Sequence, residues 1–199
     1  MRDDPDLSIG GALDLVERRK LQMEDPPTPD GTYGTIVLDP PWLYESSDPE
    51  SDAGRHYPCM TVEEIAAYAK VREWAAPNCM LFMSTTATML PESFGLLDEW
   101  GFAYKSLLTW KKPRPVLSRS FNVNTEHVIF AVKGKPRPKV QDQTTFFAGK
   151  HRRGVHSSKP EELDEIVERF APRRYLSIFD RGSREGWKFI GNEADLEPA

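Results

Sequence analysis

The tetrapeptide Asp39-Pro40-Pro41-Trp42 puts a carboxylate, two ring-restrained backbone units and an aromatic face within four residues. That set suits one demanding reaction, alkylation of the exocyclic amine of a nucleobase. The lone pair of such an amine is delocalised into the ring, so it attacks poorly. A carboxylate accepting one N–H and a fixed carbonyl accepting the other would draw the nitrogen toward a tetrahedral geometry and aim its lone pair. Proline fixes its own backbone torsion, which steadies the Pro40 carbonyl. Trp42 would offer a stacking face, worth about 1–3 kcal/mol per base in comparable settings. No metal and no strong base are needed if the methyl donor is already a sulfonium cation. The plainer reading is a turn, and Asp25-Pro26-Pro27-Thr28 repeats the tripeptide with no strand before it and no aromatic after it. Position therefore matters more than the letters.

The position is the end of an apolar run. Residues 33–38 (YGTIVL) read as a buried strand that stops at the two prolines, which cannot extend a ladder. In open α/β sheets, ligands sit beyond the carboxyl ends of strands, where Asp39 falls. Residues 45–56 read as a polar loop. Thr61, with an acid three residues on, caps a helix running to about Glu73. Further strands are expected at 79–84, 102–110 and 126–133, the last two joined by a loop over 111–124. A helix is expected over 88–99 and another from Pro160 to Phe170, followed by strands at 175–179 and 187–190. Alternating strands and helices with continuous apolar runs predict an α/β fold, doubly wound and covered on both faces. Ahead of it, residues 11–22 read as a short amphipathic helix and 25–30 as a Pro-rich linker. This predicts a tail over 1–30, one domain over 31–193 and a tail over 194–199.

Composition narrows the partners. Hydrophobic residues make up 39% and charged residues 29%, as in a soluble globular protein, and no run reaches the length of a membrane span. The acidic N-terminus lacks a signal peptide's apolar stretch, which points to the cytoplasm. Cys59 and Cys79 read as reduced thiols, and neither they nor His56, His127, His151 and His156 show metal-ligand spacing. The formal charge is −5, yet 13 Lys/Arg against two acids lie between Lys105 and Lys159. That segment predicts a local positive surface for nucleic acid inside an acidic chain.

Several motifs in order carry a resemblance: IVLDPPW (36–42), TWKKP (109–113), NTEHVIFAVKGKP (124–136), SSKPEEL (157–163), FDRGSREGW (179–187) and IGNE (190–193). They resemble the N6-adenosine methyltransferase catalytic-subunit (70 kDa subunit) family, in its bacterial and phage branch, over about residues 33–193. The resemblance implies a Rossmann-like S-adenosylmethionine-dependent methyltransferase fold with a mostly parallel sheet. It also implies a permuted order, the catalytic strand preceding the cofactor-binding strand. By the same resemblance, Asp39 contacts both the target amine and the donor's amino-acid moiety, and Lys159 reaches the donor's carboxylate. Phe179 and Arg181 lie beside the cofactor, and Asn192 and Glu193 bind its ribose hydroxyls. Animal members carry Gln where this chain has Glu193 and His where it has Ser183. Each of these residues also has a structural reading: Lys159 as a helix-start surface lysine, Arg181 as a turn residue, Asn192 as a turn cap.

For the substrate, the resemblance implies Tyr57 near the target base and Glu126 beside the substrate channel, where it could equally pair with a neighbouring base. Trp110 is expected to wall the pocket, with Lys111, Lys112 and Arg114 on phosphates. Lys150, Arg152 and Arg153 read as a basic loop on the nucleic-acid backbone. The reading is transfer of methyl from S-adenosylmethionine to the N6 amine of adenine in DNA, from a flipped or single-stranded base. RNA, the cytosine amine and a non-catalytic nucleic-acid-binding partner subunit stay open. So do homodimer and heterodimer, since the 11–22 helix could pack on a second subunit.

Overall fold

A computed structural model describes residues 30–44, 59–117, 121–150, 159–180 and 183–191. The expected 11–22 helix and 45–56 loop lie outside them, as do Tyr57, Arg152, Arg153, Arg181, Asn192 and Glu193.

Seven strands form one sheet in the order β5-β3-β4-β2-β1-β6-β7. They are β1 (Tyr33–Leu38), β2 (Ala75–Thr85), β3 (Ala103–Val116), β4 (Val123–Lys133), β5 (Phe146–Ala148), β6 (Tyr175–Ile178) and β7 (Trp187–Ile190). Strand β4 runs antiparallel to both its neighbours, while every other pair is parallel. The mostly parallel Rossmann-like α/β fold is thus present, with one reversed strand. Strand β1 leads to β2 on one side, and β6 leads to β7 on the other. The connections diverge between β1 and β6, where ligands of such sheets bind.

Alternation along the strands divides the core in two. Ile36, Leu38, Leu81, Met83, Ile129, Leu176 and Ile178 face one side, under helices α1 (Val62–Tyr68), α2 (Val71–Trp74) and α3 (Leu90–Trp100). Val37, Met80, Phe82, Leu108, Trp110 and Val128 face the other, under Leu163 and Val167 of α4 (Glu161–Phe170). The Thr61 cap is realised in full: its hydroxyl accepts from Glu64 N–H at 3.2 Å, and the Glu64 carboxylate accepts from Thr61 N–H at 2.9 Å. Such caps stabilise a helix by about 1 kcal/mol. Helix α3 ends at Gly101, whose φ of +75° is left-handed and suits glycine.

Three expectations change. The 62–73 helix is two, broken at Ala69 and Lys70, which lets Trp74 turn into the core. The 111–124 loop is largely strand, because β3 and β4 extend into a long hairpin. The three-residue β5 was not foreseen, and it pairs with β3 through Thr109 to Lys111. Among the described residues neither cysteine forms a disulfide, and burial pushes the Cys79 thiol up to about 12. No helix among them is long and apolar enough to cross a membrane.

Candidate active site at the carboxyl edge of the sheet

Asp39 still belongs to the sheet through its backbone, donating N–H to Ile178 O at 3.2 Å. Beyond it the two prolines have no N–H to give, and the chain leaves the ladder. Trp42 N–H then closes back on Pro40 O at 2.9 Å, and Met60 N–H binds Pro41 O at 2.7 Å. These bonds hold the motif rigidly at the sheet edge.

Strand parity fixes what Asp39 sees. It lies two residues after Val37 and so shares the α4 face. On that face β4 contributes Glu126, two before Val128, and β3 contributes Trp110 and Lys112. The reversal of β4 brings its start to the edge where the parallel strands end, with Thr85 opposite His127 and Trp110 opposite Glu126. Lys159, just ahead of α4, reaches over the row. Its Nζ lies 2.8 Å from Asp39 Oδ1 and 3.3 Å from Glu126 Oε2, and Lys112 pairs with the other Glu126 oxygen. The result is an alternating chain of charges, Asp39–Lys159–Glu126–Lys112, with side chains only 17–28% exposed.

The titration behaviour follows. Burial raises the Asp39 carboxyl above its ordinary value, a push that Lys159 only partly offsets. Burial would also raise Glu126, but Lys159 and Lys112 outweigh it and hold that carboxyl low. Burial alone would lower the Lys159 ammonium, yet the two carboxylates reverse this and hold it above the usual lysine value.

Other expected site residues fall in different places. Trp42 is 6% exposed and belongs to the core, its indole N–H bound to Ser84 O at 3.2 Å. Its face is thus packed, not open for a base, because it lies in the core cluster that also holds Ile65 and Tyr68 of α1. Trp110 is likewise buried, and its N–H holds Gly149 O at 3.0 Å, so it braces the site instead of walling a pocket. Lys112 sits 5.6 Å over the Trp110 ring and on Glu126, where it is not free for a phosphate. Lys111, Arg114 and Lys150 are exposed. Phe179 follows β6 at φ +66°, a left-handed turn unusual for a bulky residue, and stacks on Tyr68 of α1 at 5.1 Å.

Sequence reasoning missed three contributors. The Ser84 hydroxyl is buried on the Asp39 face, with no hydrogen-bond partner among the described residues. Tyr68 of α1 stacks on Phe179 within the α1 side of the core. Gly149 lets its loop lie against Pro160, where an added Cβ would stand 2.7 Å from Pro160 Cβ. Parity counted from Phe82 would have found Ser84; nothing local signals the other two. Among the described residues no cluster of side chains suits a metal ion.

Residues 33–193 match the MT-A70 family, four-fifths of the chain. The chain belongs to the MT-A70 family. A type II methyltransferase, M.MunI of Mycoplasma sp, is 30% identical over 189 residues, covering 84% of this chain and 80% of that protein. The present MT-A70 protein is thus a methyltransferase, and its match begins at the first residue of β1, six positions before Asp39.

Proposed function

We propose that this methyltransferase transfers a methyl group from S-adenosylmethionine to the N6 amine of adenine in DNA. The observation that carries the reading is the Asp39–Lys159 ion pair at 2.8 Å, just beyond the carboxyl end of β1 and still partly exposed. The donor's amino-acid end bears an ammonium and a carboxylate, and Asp39 and Lys159 offer the complementary charges side by side. When bound, the donor supplies an electrophilic methyl on a cationic sulfur, so the protein need not generate one.

Asp39 then orients the amine. Its carboxylate has about four lone-pair sites, of which Lys159 uses one, leaving room for a substrate N–H. The Pro40 carbonyl gives one lone pair to Trp42 N–H and keeps a second for the other amine proton. As the nitrogen–methyl bond forms and the carbon–sulfur bond breaks, the nitrogen becomes cationic and must lose a proton. Asp39, raised by burial, accepts it more readily than an ordinary aspartate and passes it to solvent. Lys159 and Glu126 keep Asp39 in place throughout. Phe179, Arg181, Asn192 and Glu193 are assigned to the donor, and Tyr57 to the base, through family resemblance. The base-rich segment, including exposed Lys111, Arg114 and Lys150, supports a polyanionic substrate.

The test is mass spectrometry of nucleosides after incubation with methyl-deuterated donor and either DNA or RNA. Labelled N6-methyladenine from DNA, absent with Asp39→Ala, is expected. Label on cytosine or only in RNA overturns the substrate, and full activity of Asp39→Ala overturns the mechanism. No transfer to either nucleic acid would favour a non-catalytic partner subunit.

A further inference from the structure

The hairpin of β3 and β4 outruns its sheet. Strand β2 leaves β4 at the Thr85–His127 pair, and β5 leaves β3 after Lys111. Beyond the Lys111–Thr125 pair the two strands continue to Val116–Val123 without a third strand on either side. Five residues of β3 cover this stretch against two of β4, so Lys112-Pro113-Arg114-Pro115 forms a bulge. Toward its outer end the described residues include open apolar side chains: Val116 is 59% exposed, Leu117 82%, Phe121 87% and Val123 45%. Most of the exposed large hydrophobic residues among those described gather here.

We propose that this ribbon enters the major groove of a DNA duplex and that Leu117 and Phe121 press into the base stack, so that the target base can turn out toward Asp39. The inference rests on the DNA reading above and deepens it. A major groove about 12 Å wide and 8.5 Å deep admits a two-stranded ribbon. From Glu126 to Val123 strand β4 runs about 10 Å at about 3.4 Å per residue, more than the depth of the groove. Apolar side chains wedged between base steps are a known means of opening a duplex, and a base inside it cannot otherwise reach a catalytic carboxylate.

Charge selects this occupant. Lys111 and Arg114 are exposed on the ribbon, while its acid Glu126 is neutralised by Lys112 and Lys159. In a two-fold contact between copies of this chain, the same patch meets itself, bringing these cations together. Strand addition by a protein is also disfavoured, because Pro113 and Pro115 remove donors from the ribbon's edge.

The experiment compares wild type with the double variant Leu117→Ser/Phe121→Ser, both highly exposed positions whose loss leaves the core intact. Initial rates of methyl transfer are measured on unmethylated native DNA and on the same DNA after heat denaturation. The variant should lose about tenfold or more on native DNA and change less than about twofold on denatured DNA. Equal loss on both forms, or no loss on either, overturns the wedge. So does a wild-type mass twice that of the variant by light scattering, which would make the tip an interface between copies. Wild type active on denatured DNA alone would overturn the wedge and leave the proposed chemistry standing. Inactivity on both forms would overturn both.

Discussion

Replacing Lys159 by methionine removes the cation that separates Asp39 from Glu126. The oxygens it bridges lie 2.8 and 3.3 Å from its nitrogen, so the two carboxylates remain no more than roughly 6 Å apart. Two negative charges at that distance, with an effective dielectric of about 20, repel by about 3 kcal/mol. That displaces the protonation of one carboxyl upward. The proton belongs to the pair, not to either residue alone. Because the folded state of Lys159→Met then binds a proton more tightly than the unfolded chain, the variant is least stable at alkaline pH. It regains stability as pH falls below the raised value. Urea unfolding of both proteins between pH 8 and 5.5 measures this directly. The deficit of the variant should shrink on acidification by about 1–3 kcal/mol. A deficit that stays flat across this range would refute the coupling of Asp39 and Glu126 through Lys159.

Two other predictions test how the site is supported. Gly149→Ala places a methyl group against Pro160 and the Glu162 carboxylate, so urea unfolding should show a loss of about 1–3 kcal/mol. Methyl transfer should fall with it, because Pro160 adjoins Lys159. Glu168 accepts two bonds from Arg184, at 2.8 and 2.7 Å, and one from Trp187 at 2.8 Å, which bring its carboxyl down to about 2. A depressed carboxyl contributes stability above its ordinary value of 4.5 that disappears as pH falls toward about 2. Discounted for solvent screening, Glu168→Gln should cost about 1–2 kcal/mol at pH 7, and the difference from wild type should vanish near pH 2.

The legible parts of the sequence were those where local chemistry and tertiary need agree. Two prolines after Ile36-Val37-Leu38 mark a strand end because no ladder can continue through them, and Thr61 with Glu64 marks a helix start. The break at Ala69 and Lys70 was hidden because both residues favour helix, and the burial of Trp74 overrides them. Pro113 and Pro115 read as loop residues, yet they sit in a bulge at a strand edge, where a missing N–H costs nothing. Strand β5 is three residues long, too short to show a period. The aromatic residues were misjudged most. Trp42 and Trp110 look like surfaces for a base when seen beside Asp39 and the lysines, but tertiary packing buries both in the interior. Strand parity, once β4 is known to run backwards, collects Asp39, Glu126 and Lys112 under Lys159. Reversal of one strand is a property of the whole topology, so no window of sequence could disclose it.

The place of β1 in the middle of the sheet sets a schedule for the growing chain. Leu38 pairs with Met83 on one side and with Ile178 on the other. Translation proceeds at about 5–20 residues per second, so the second partner emerges on the order of ten seconds after the first strand. During that interval Ile36-Val37-Leu38 carry an open apolar edge that any passing strand could capture, a hazard of sheets built from distant segments. The Asp39–Lys159 pair cannot form until residue 159 has emerged, and its strand is not enclosed until residue 178 follows. The site at Asp39 is therefore incomplete for as long as that edge of β1 stays open.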